Sequence, residues 1–369
     1  MAPPTGALDR TGIGNKARED LMDTIYNISP TERPAHMKWG RGSCDQDAHE
    51  WVTDSLAAAR SDNKHVDGDD FFAEGAAGQA GSGFVGVSLT AGSRIGNHCQ
   101  ISRKDIVTTR RADKVRKAGR RDELGYQIAK GGRELQRDCE SALLANNAAV
   151  QGTTTVAGQA GSYLVWMRAN TNRYNSNGGT DGADPAALVS GFPTGAAAVD
   201  AVGAVVALRA LSETDILTVI ASCYVAGGQT DTILMHPTIK QKWSNYMFSP
   251  SSTDSGRIAT QYQDQGKSPS SGATALGAVD VYVSDFGVID VIPDRFQRSR
   301  DVLIFESDMW SIDYLDPYQQ FDIAKSGDSE KRVMLVDFTL RASQPESSGI
   351  VADVSSTLSM VFASSVNEP

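Results

Sequence analysis

The amino-acid sequence predicts a mixed α+β chain made of several lobes joined by extended segments. Three observations carry that prediction. The chain has 369 residues, more than one compact core usually organises. Its longest helical pattern lies in 110–148, apart from an α/β pattern over 211–300. Strongly alternating strand sequence then returns over 301–345. Hydrophobic residues at 40% and charged residues at 22% suit a folded protein. The 35 glycines put much of the backbone in turns and loops.

Residues 1–45 read as an extended arm. Four prolines fall in 1–40, and only Leu21, Met22, Ile25, Tyr26 and Ile28 cluster, as one brief helical turn closed by Ser29-Pro30 and Arg33-Pro34. Such an arm needs a surface to lie on. Residues 46–108 read as a projecting hairpin. His49 to Thr53 and Phe84 to Thr90 have strand character, Ser93 to Val107 continues it, and a long Gly/Ala/Asp tip lies between.

Residues 109–155 carry the long helix. Leu124, Ile128, Leu135, Cys139 and Leu143 share one helical face. Helix over all of 110–148 would span about 55 Å. Gly131-Gly132 inside it predicts a bend or close packing. Residues 156–210 form a Gly/Ala-rich connecting segment, in which Tyr163 to Met167 reads as a strand.

Residues 211–300 read as a separate α/β lobe. Ser212-Glu213-Thr214-Asp215 fits a capping box opening a helix through Ile216, Val219, Ile220 and Tyr224, which Gly227-Gly228 ends. Thr232 to Met235 is a short buried strand. Pro237 starts a helix through Trp243 and Tyr246, and strands follow at Val279–Val283 and Gly287–Ile292. Within 301–354, Val302–Phe305 and Val333–Leu340 read as long antiparallel strands, with a turn at Gly327 to Lys331. Residues 355–369 form a loose tail.

No enzyme chemistry is legible. Gly81-Ser82-Gly83-Phe84-Val85-Gly86 matches G-x-G-x-x-G, but a Gly/Ala tract precedes it and strand sequence follows, so it reads as a hinge and not a dinucleotide loop. Neither a phosphate-binding P-loop nor a G-x-S-x-G elbow occurs. Neither histidines nor cysteines take a metal-ligand spacing, and Asp67, Asp69 and Asp70 lack the calcium-loop pattern. No cofactor is expected. Cys44, Cys99, Cys139 and Cys223 read as reduced and structural. Met1 to Arg10 lacks an apolar signal core, and no eighteen-residue apolar stretch exists to span a membrane.

Charge is more informative. A net charge of −10 makes a poor general nucleic-acid binder. Yet Arg110, Arg111, Lys114, Arg116, Lys117, Arg120 and Arg121 put seven basic residues in twelve positions. The preceding hairpin carries Asp45, Asp47, Glu50, Asp54, Asp62, Asp67, Asp69, Asp70 and Glu74. In a repeated assembly the acidic loop of one subunit (Asp62, Asp67, Asp69, Asp70, Glu74) would cover the basic segment of the next, setting register. The alternatives are two solvated faces, or a basic segment turned toward nucleic acid.

Arm, hairpin, long helix, α/β lobe and returning strands, in that order, resemble the HK-ninety-seven-like capsid fold of tailed phages and herpesviruses. Its parts are the N-arm, the E-loop, the spine helix with the peripheral domain, and the axial domain. The chain further resembles the major head proteins of a podophage group. Arg18-Glu19-Asp20-Leu21, Tyr26 to Glu32, Glu50 to Leu56, Gln100 to Lys104 and Lys117 to Leu124 carry the likeness. So do Val281 to Gly287, Pro293 to Arg298 and Lys325 to Arg332. The Gly/Ala-rich tip near 73–83 and an enlarged segment near 170–205 depart from the pattern.

The resemblance implies a structural, non-catalytic shell subunit of the virion, made in the host bacterial cytoplasm. It would self-assemble into hexamers and pentamers and enclose double-stranded DNA without sequence specificity. Portal, scaffold and decoration proteins are the implied partners. Another phage structural protein, of tail tube or decoration type, is the alternative.

Overall fold

In the computed structural model, the described residues are 28–56, 59, 61, 67, 92–115, 122–173, 184–195, 208–248, 280–325 and 327–355. The expected helical turn at Leu21 to Ile28, the strand at Phe84 to Thr90, the glycine hinge at Gly81 to Gly86 and the tail after 355 lie outside these, Ile28 apart.

The chain order is α1 (Pro34–Lys38), β1 (Gly40–Ser43), β2 (Ala48–Thr53), β3 (Ser93–His98), β4 (Gln100–Thr109), α2 (Arg110–Lys114), α3 (Glu123–Leu144) and α4 (Tyr163–Trp166). Then come β5 (Thr171–Asn172), α5 (Glu213–Val225), β6 (Thr232–Met235), α6 (Pro237–Phe248), β7 (Val281–Ser284) and β8 (Gly287–Pro293). The last strands are β9 (Val302–Phe305), β10 (Trp310–Ile323), β11 (Ser329–Ala342) and β12 (Gly349–Val351).

Three sheets form. A six-stranded sheet runs β5-β12-β9-β6-β8-β7, a four-stranded sheet runs β1-β10-β11-β4, and β2 pairs only with β3. The central strands of the six-stranded sheet are covered on both faces. In β6, Leu234 faces one apolar core while Ile233 and Met235 face a second. In β9, Leu303 and Phe305 face the first while Val302 and Ile304 face the second. Burial on both sides is why these strands are continuous apolar runs. α5 and α6 close the second core through Ile216, Val219, Ile220, Ile239 and Trp243. The Ser212 capping box forms as its sequence predicts, with Asp215 returning the bond, and Gly227 ends that helix at φ +99°.

The four-stranded sheet is made of the long returning strands. β10 and β11 pair antiparallel from Trp310↔Ala342 to Ile323↔Lys331, with the register broken around Pro317, a residue with no N–H to give the ladder. α3 lies on this sheet. A Cβ on Gly131 would stand 3.0 Å from Ile106 Cδ1, and one on Gly132 would stand 3.2 Å from Met334 Cε. The glycine pair therefore serves close helix–sheet packing.

Three expectations need correction. First, the helix is not continuous from 110 to 148. Val115 (ψ 134°) and Asp122 (ψ 114°) are extended, so a five-residue α2 is followed by a separate 22-residue α3 of about 33 Å. The Asp122 side chain accepts the Gly125 N–H and starts a new helix, a capping signal that the apolar spacing hid. Second, Tyr163–Trp166 is one helical turn and not a strand. All its side chains are buried, so its apolar run carries no period to read. Third, β9 is only four residues long and pairs with β6 and β12, apart from β11.

Candidate assembly surface

The arm joins the body at α1. Pro34 begins this turn, and Arg33 supplies no side-chain cap. The cap comes from α3: the Ala35 N–H donates to Glu140 Oε1 (2.9 Å) and the His36 N–H to Glu140 Oε2 (3.0 Å). Glu140 is fully buried. Burial first, and then the neighbouring Asp294 carboxyl, push it up to about 8, against the pull of the two N–H groups. Asp294 is also pushed up, chiefly by burial, and its Oδ2 is buried with no hydrogen-bond partner. Two buried carboxyls side by side cannot both ionise cheaply, so the pair holds one proton. Burial, then Arg33 and Arg41, push His36 down to about 4. Trp39 follows, stacked on Tyr163 (6.1 Å) and Trp310 (6.0 Å) in the first core.

The hairpin base is tied down as firmly. β2 and β3 pair from Ala48↔His98 to Thr53↔Ser93. Trp51 packs on Trp166 and its Nε1–H donates to the Ala342 carbonyl (2.9 Å). Beneath lies Asp313, 1% exposed. His49 Nε2 stands 3.0 Å from its Oδ2, Arg341 Nε 3.1 Å from the same oxygen, and the Ser311 hydroxyl donates to Oδ1 (2.8 Å). Burial works to raise this carboxyl, but His49, Ser311 and Arg341 outweigh it and hold it below the usual range. Glu50 pairs with Arg94 across the hairpin.

The structure describes part of each charged set. Arg110, Arg111 and Lys114 lie exposed on α2. Arg110 Nε pairs with Asp328 at the β10–β11 turn (2.6 Å), while Arg111 and Lys114 have no ion-pair partner among the described residues. Arg116, Lys117, Arg120 and Arg121 lie outside the described residues, as do Asp62, Asp69, Asp70 and Glu74. Asp45, Asp47, Asp54 and Asp67 are exposed. β4 separates the hairpin base at Cys99 from Arg110, and its ten residues span about 30 Å. Asp45 and Asp47 therefore lie at one end of the four-stranded sheet and Arg110 at the other.

Exposed apolar side chains lie on this sheet and hairpin, and also on the β7–β8 edge of the six-stranded sheet at Val281, Val283 and Val288. Val52 is 69% and Leu56 99% exposed beside the hairpin, and Ile101 is 68% and Val107 62% exposed on the edge strand β4. The Cys44, Cys99, Cys139 and Cys223 thiols are all free and buried. No metal-binding group of side chains occurs among the described residues, and none of their helices is long and apolar enough to cross a membrane.

The model of the SU10 major capsid protein family matches residues 5–355. The chain belongs to that family. Its family makes it a phage major capsid protein, located in the virion capsid. A curated relative agrees: the major capsid protein of Escherichia phage Phieco32 is 25% identical over 368 residues, covering 95% of this chain and 97% of that one. Among solved structures, the capsid of cyanophage A-1(L) superposes with TM-score 0.57 at 14% identity, covering 94% of this chain and 98% of the other. Microbacterium phage Oxtober96 gives TM-score 0.54 at 11% identity, covering 94% and 99%. These likenesses bear out the HK-ninety-seven-like α+β fold.

Sequence reasoning missed Glu140, Asp294, Asp313 and Trp39. Glu140 carried one readable sign. It shares the buried stripe of α3 with Leu135, Cys139, Leu143 and Leu144, and a carboxylate there must find partners. Asp313 and Asp294 each take one local bond, from the Ser311 hydroxyl and the Phe296 N–H, but their ionisable neighbours His49, Arg341 and Glu140 come from distant elements.

Proposed function

We propose that this capsid protein assembles as hexamers and pentamers into an icosahedral head that encloses double-stranded DNA without sequence specificity. One observation carries the reading: the β2–β3 hairpin and the outer half of the four-stranded sheet expose apolar side chains that the described chain leaves uncovered. Copies of the chain are the natural cover. Residues 1–45 act as the N-arm, 46–108 as the E-loop, 109–155 as the spine segment and 211–300 as the axial domain. Residues 156–210 connect, 301–354 return strands to the peripheral domain, and 355–369 trail. The subunit does no catalysis and is made in the host bacterial cytoplasm. Portal, scaffold and decoration proteins are its further partners.

Within that shell, Asp62, Asp67, Asp69, Asp70 and Glu74 of one subunit cover Arg110, Arg111, Lys114, Arg116, Lys117, Arg120 and Arg121 of the next. The exposure of Arg110, Arg111, Lys114 and Asp67 supports the reading. Electron microscopy of the overexpressed full chain, alone and with scaffold, tests the assembly. Closed shells or capsomer rings are expected, and a stable monomer under both conditions would contradict it. Changing Arg116, Lys117, Arg120 and Arg121 together to Glu should abolish assembly at physiological salt. Unchanged assembly removes the charge reading while leaving the capsid reading intact.

A further inference from the structure

Two of the four thiols meet. Cys44 Sγ lies 3.7 Å from Cys99 Sγ, although the residues are 55 positions apart in sequence. Both backbones are pinned: the Cys44 N–H donates to the Tyr314 carbonyl (3.1 Å) and the Cys99 N–H to the Asp47 carbonyl (2.8 Å). The pair thus joins the end of β1 to the junction of β3 and β4. We propose that Cys44 and Cys99 form an oxidisable pair, and that a peroxide closes them into a disulfide that staples the base of the β2–β3 hairpin.

To bond, the sulfurs must close from 3.7 Å to about 2.05 Å. The two thiols have different parts. Cys44 lines a surface cleft with Ser43, Asp45, Gln46, His49 and Trp51, so a molecule as small as hydrogen peroxide can reach it. Cys99 is deeper, and its S–H points to the Gln46 carbonyl (3.6 Å). Burial raises both thiols, and because the cleft opens on Cys44, Cys44 is the thiol that a peroxide meets first. Cys44 loses its proton to water and its thiolate attacks one peroxide oxygen. An S–O bond forms, the O–O bond breaks, and hydroxide leaves. The Cys99 sulfur then attacks Cys44 Sγ, forming the S–S bond and expelling the oxygen, which takes the Cys99 proton and its own to leave as water. The two sulfurs give up two electrons and the peroxide takes them.

The closed ring holds residues 45–98, hence β2, β3 and all the chain between them. A virion leaves the reducing cell interior, where thiols persist, for surroundings in which disulfides persist. The staple would form on that passage and hold the hairpin to the four-stranded sheet. Cys139 and Cys223 serve as internal controls, since no thiol partners them among the described residues.

The test is peroxide treatment of the full chain at mildly alkaline pH, then alkylation in denaturant and mass mapping. We expect a mass loss of about 2 Da, a peptide joining Cys44 to Cys99, Cys139 and Cys223 still alkylatable, and full reversal by a reductant. The thermal midpoint of the oxidised chain should rise by about 5 °C. In Cys99→Ser, Cys44 should remain a sulfenic acid that a dimedone-type reagent captures, whereas the natural chain escapes capture. Four alkylatable thiols after oxidation would overturn the proposal. So would a bond to Cys139 or Cys223, or irreversible oxidation of Cys44 beside an intact Cys99. The natural-chain mass map decides the matter even if Cys99→Ser does not fold.

Discussion

The six-stranded and four-stranded sheets share one apolar core but finish their surfaces differently. In the six-stranded sheet, β6, β9 and β12 are buried at every position, and α5 and α6 complete the second core. The centre of that sheet satisfies itself, while its β7–β8 edge exposes Val281, Val283 and Val288. In the four-stranded sheet, β10 starts buried at Trp310 and ends exposed at Phe321 and Ile323, and the edge strand β4 exposes Ile101 and Val107. The hairpin and the arm junction are fastened to that same sheet through Asp313, Trp51 and Glu140. The six-stranded sheet closes its central strands on both faces, and the four-stranded sheet holds the segments that reach outward.

The largest effect should come from breaking the self-sufficient centre of the six-stranded sheet. Phe305→Ala, fully buried in β9, should cost about 3–5 kcal/mol, read as a fall in the denaturation midpoint and in soluble yield. A smaller loss, about 1–3 kcal/mol, should follow Glu140→Ala, which leaves the Ala35 and His36 N–H groups of α1 unpaired and frees the arm to proteolysis near residue 34.

The same carboxyl gives a pH signature. Its folded value of about 8 lies above the ordinary value of 4.5, so the folded state holds the proton more tightly. The stability from that proton is complete below pH 4.5 and is lost as pH rises toward and through 8. Thermal midpoints taken from pH 5 to pH 9 should therefore fall, and Glu140→Gln, which cannot ionise, should flatten that fall. Smallest in stability is Val107→Ser on the exposed edge, expected within about 0.5 kcal/mol of the natural subunit. It should nonetheless raise the concentration needed for assembly, measured by light scattering. A large stability loss from it would mean that β4 is already covered within the subunit.

The sequence made the six-stranded sheet and its helices the more legible part. The continuous apolar run at Thr232–Met235, the Ser212 capping box and Pro237 each carry a local physical signal, and each stands where it was expected. Val302–Phe305 is legible as a strand, but its length and partners are not. The order of segments and the family blocks led to the capsid fold. What stayed hidden is non-local. The break in the helix at Asp122 lies just before the apolar repeat of Leu124, Ile128, Leu135, Cys139 and Leu143, which does not itself mark where the helix begins. Tyr163–Trp166, buried on all sides, had no periodicity to distinguish a helical turn from a strand. Glu140 caps a helix 104 residues away, and Cys44 meets Cys99 only because β1 and β4 belong to one sheet. The basic and acidic sets were legible as composition, and their pairing between subunits is a matter of assembly.

Hydrogen exchange on the free subunit and on the assembled shell tests the contrast between the two sheets most directly. The account predicts that amides of β6 and β9 are equally protected in both states. Those of the outer end of β10, of the facing part of β11 around Lys331 and of the β2–β3 hairpin should become protected only in the shell. Equal protection of both sheets in the free subunit, with no gain on assembly, would contradict it.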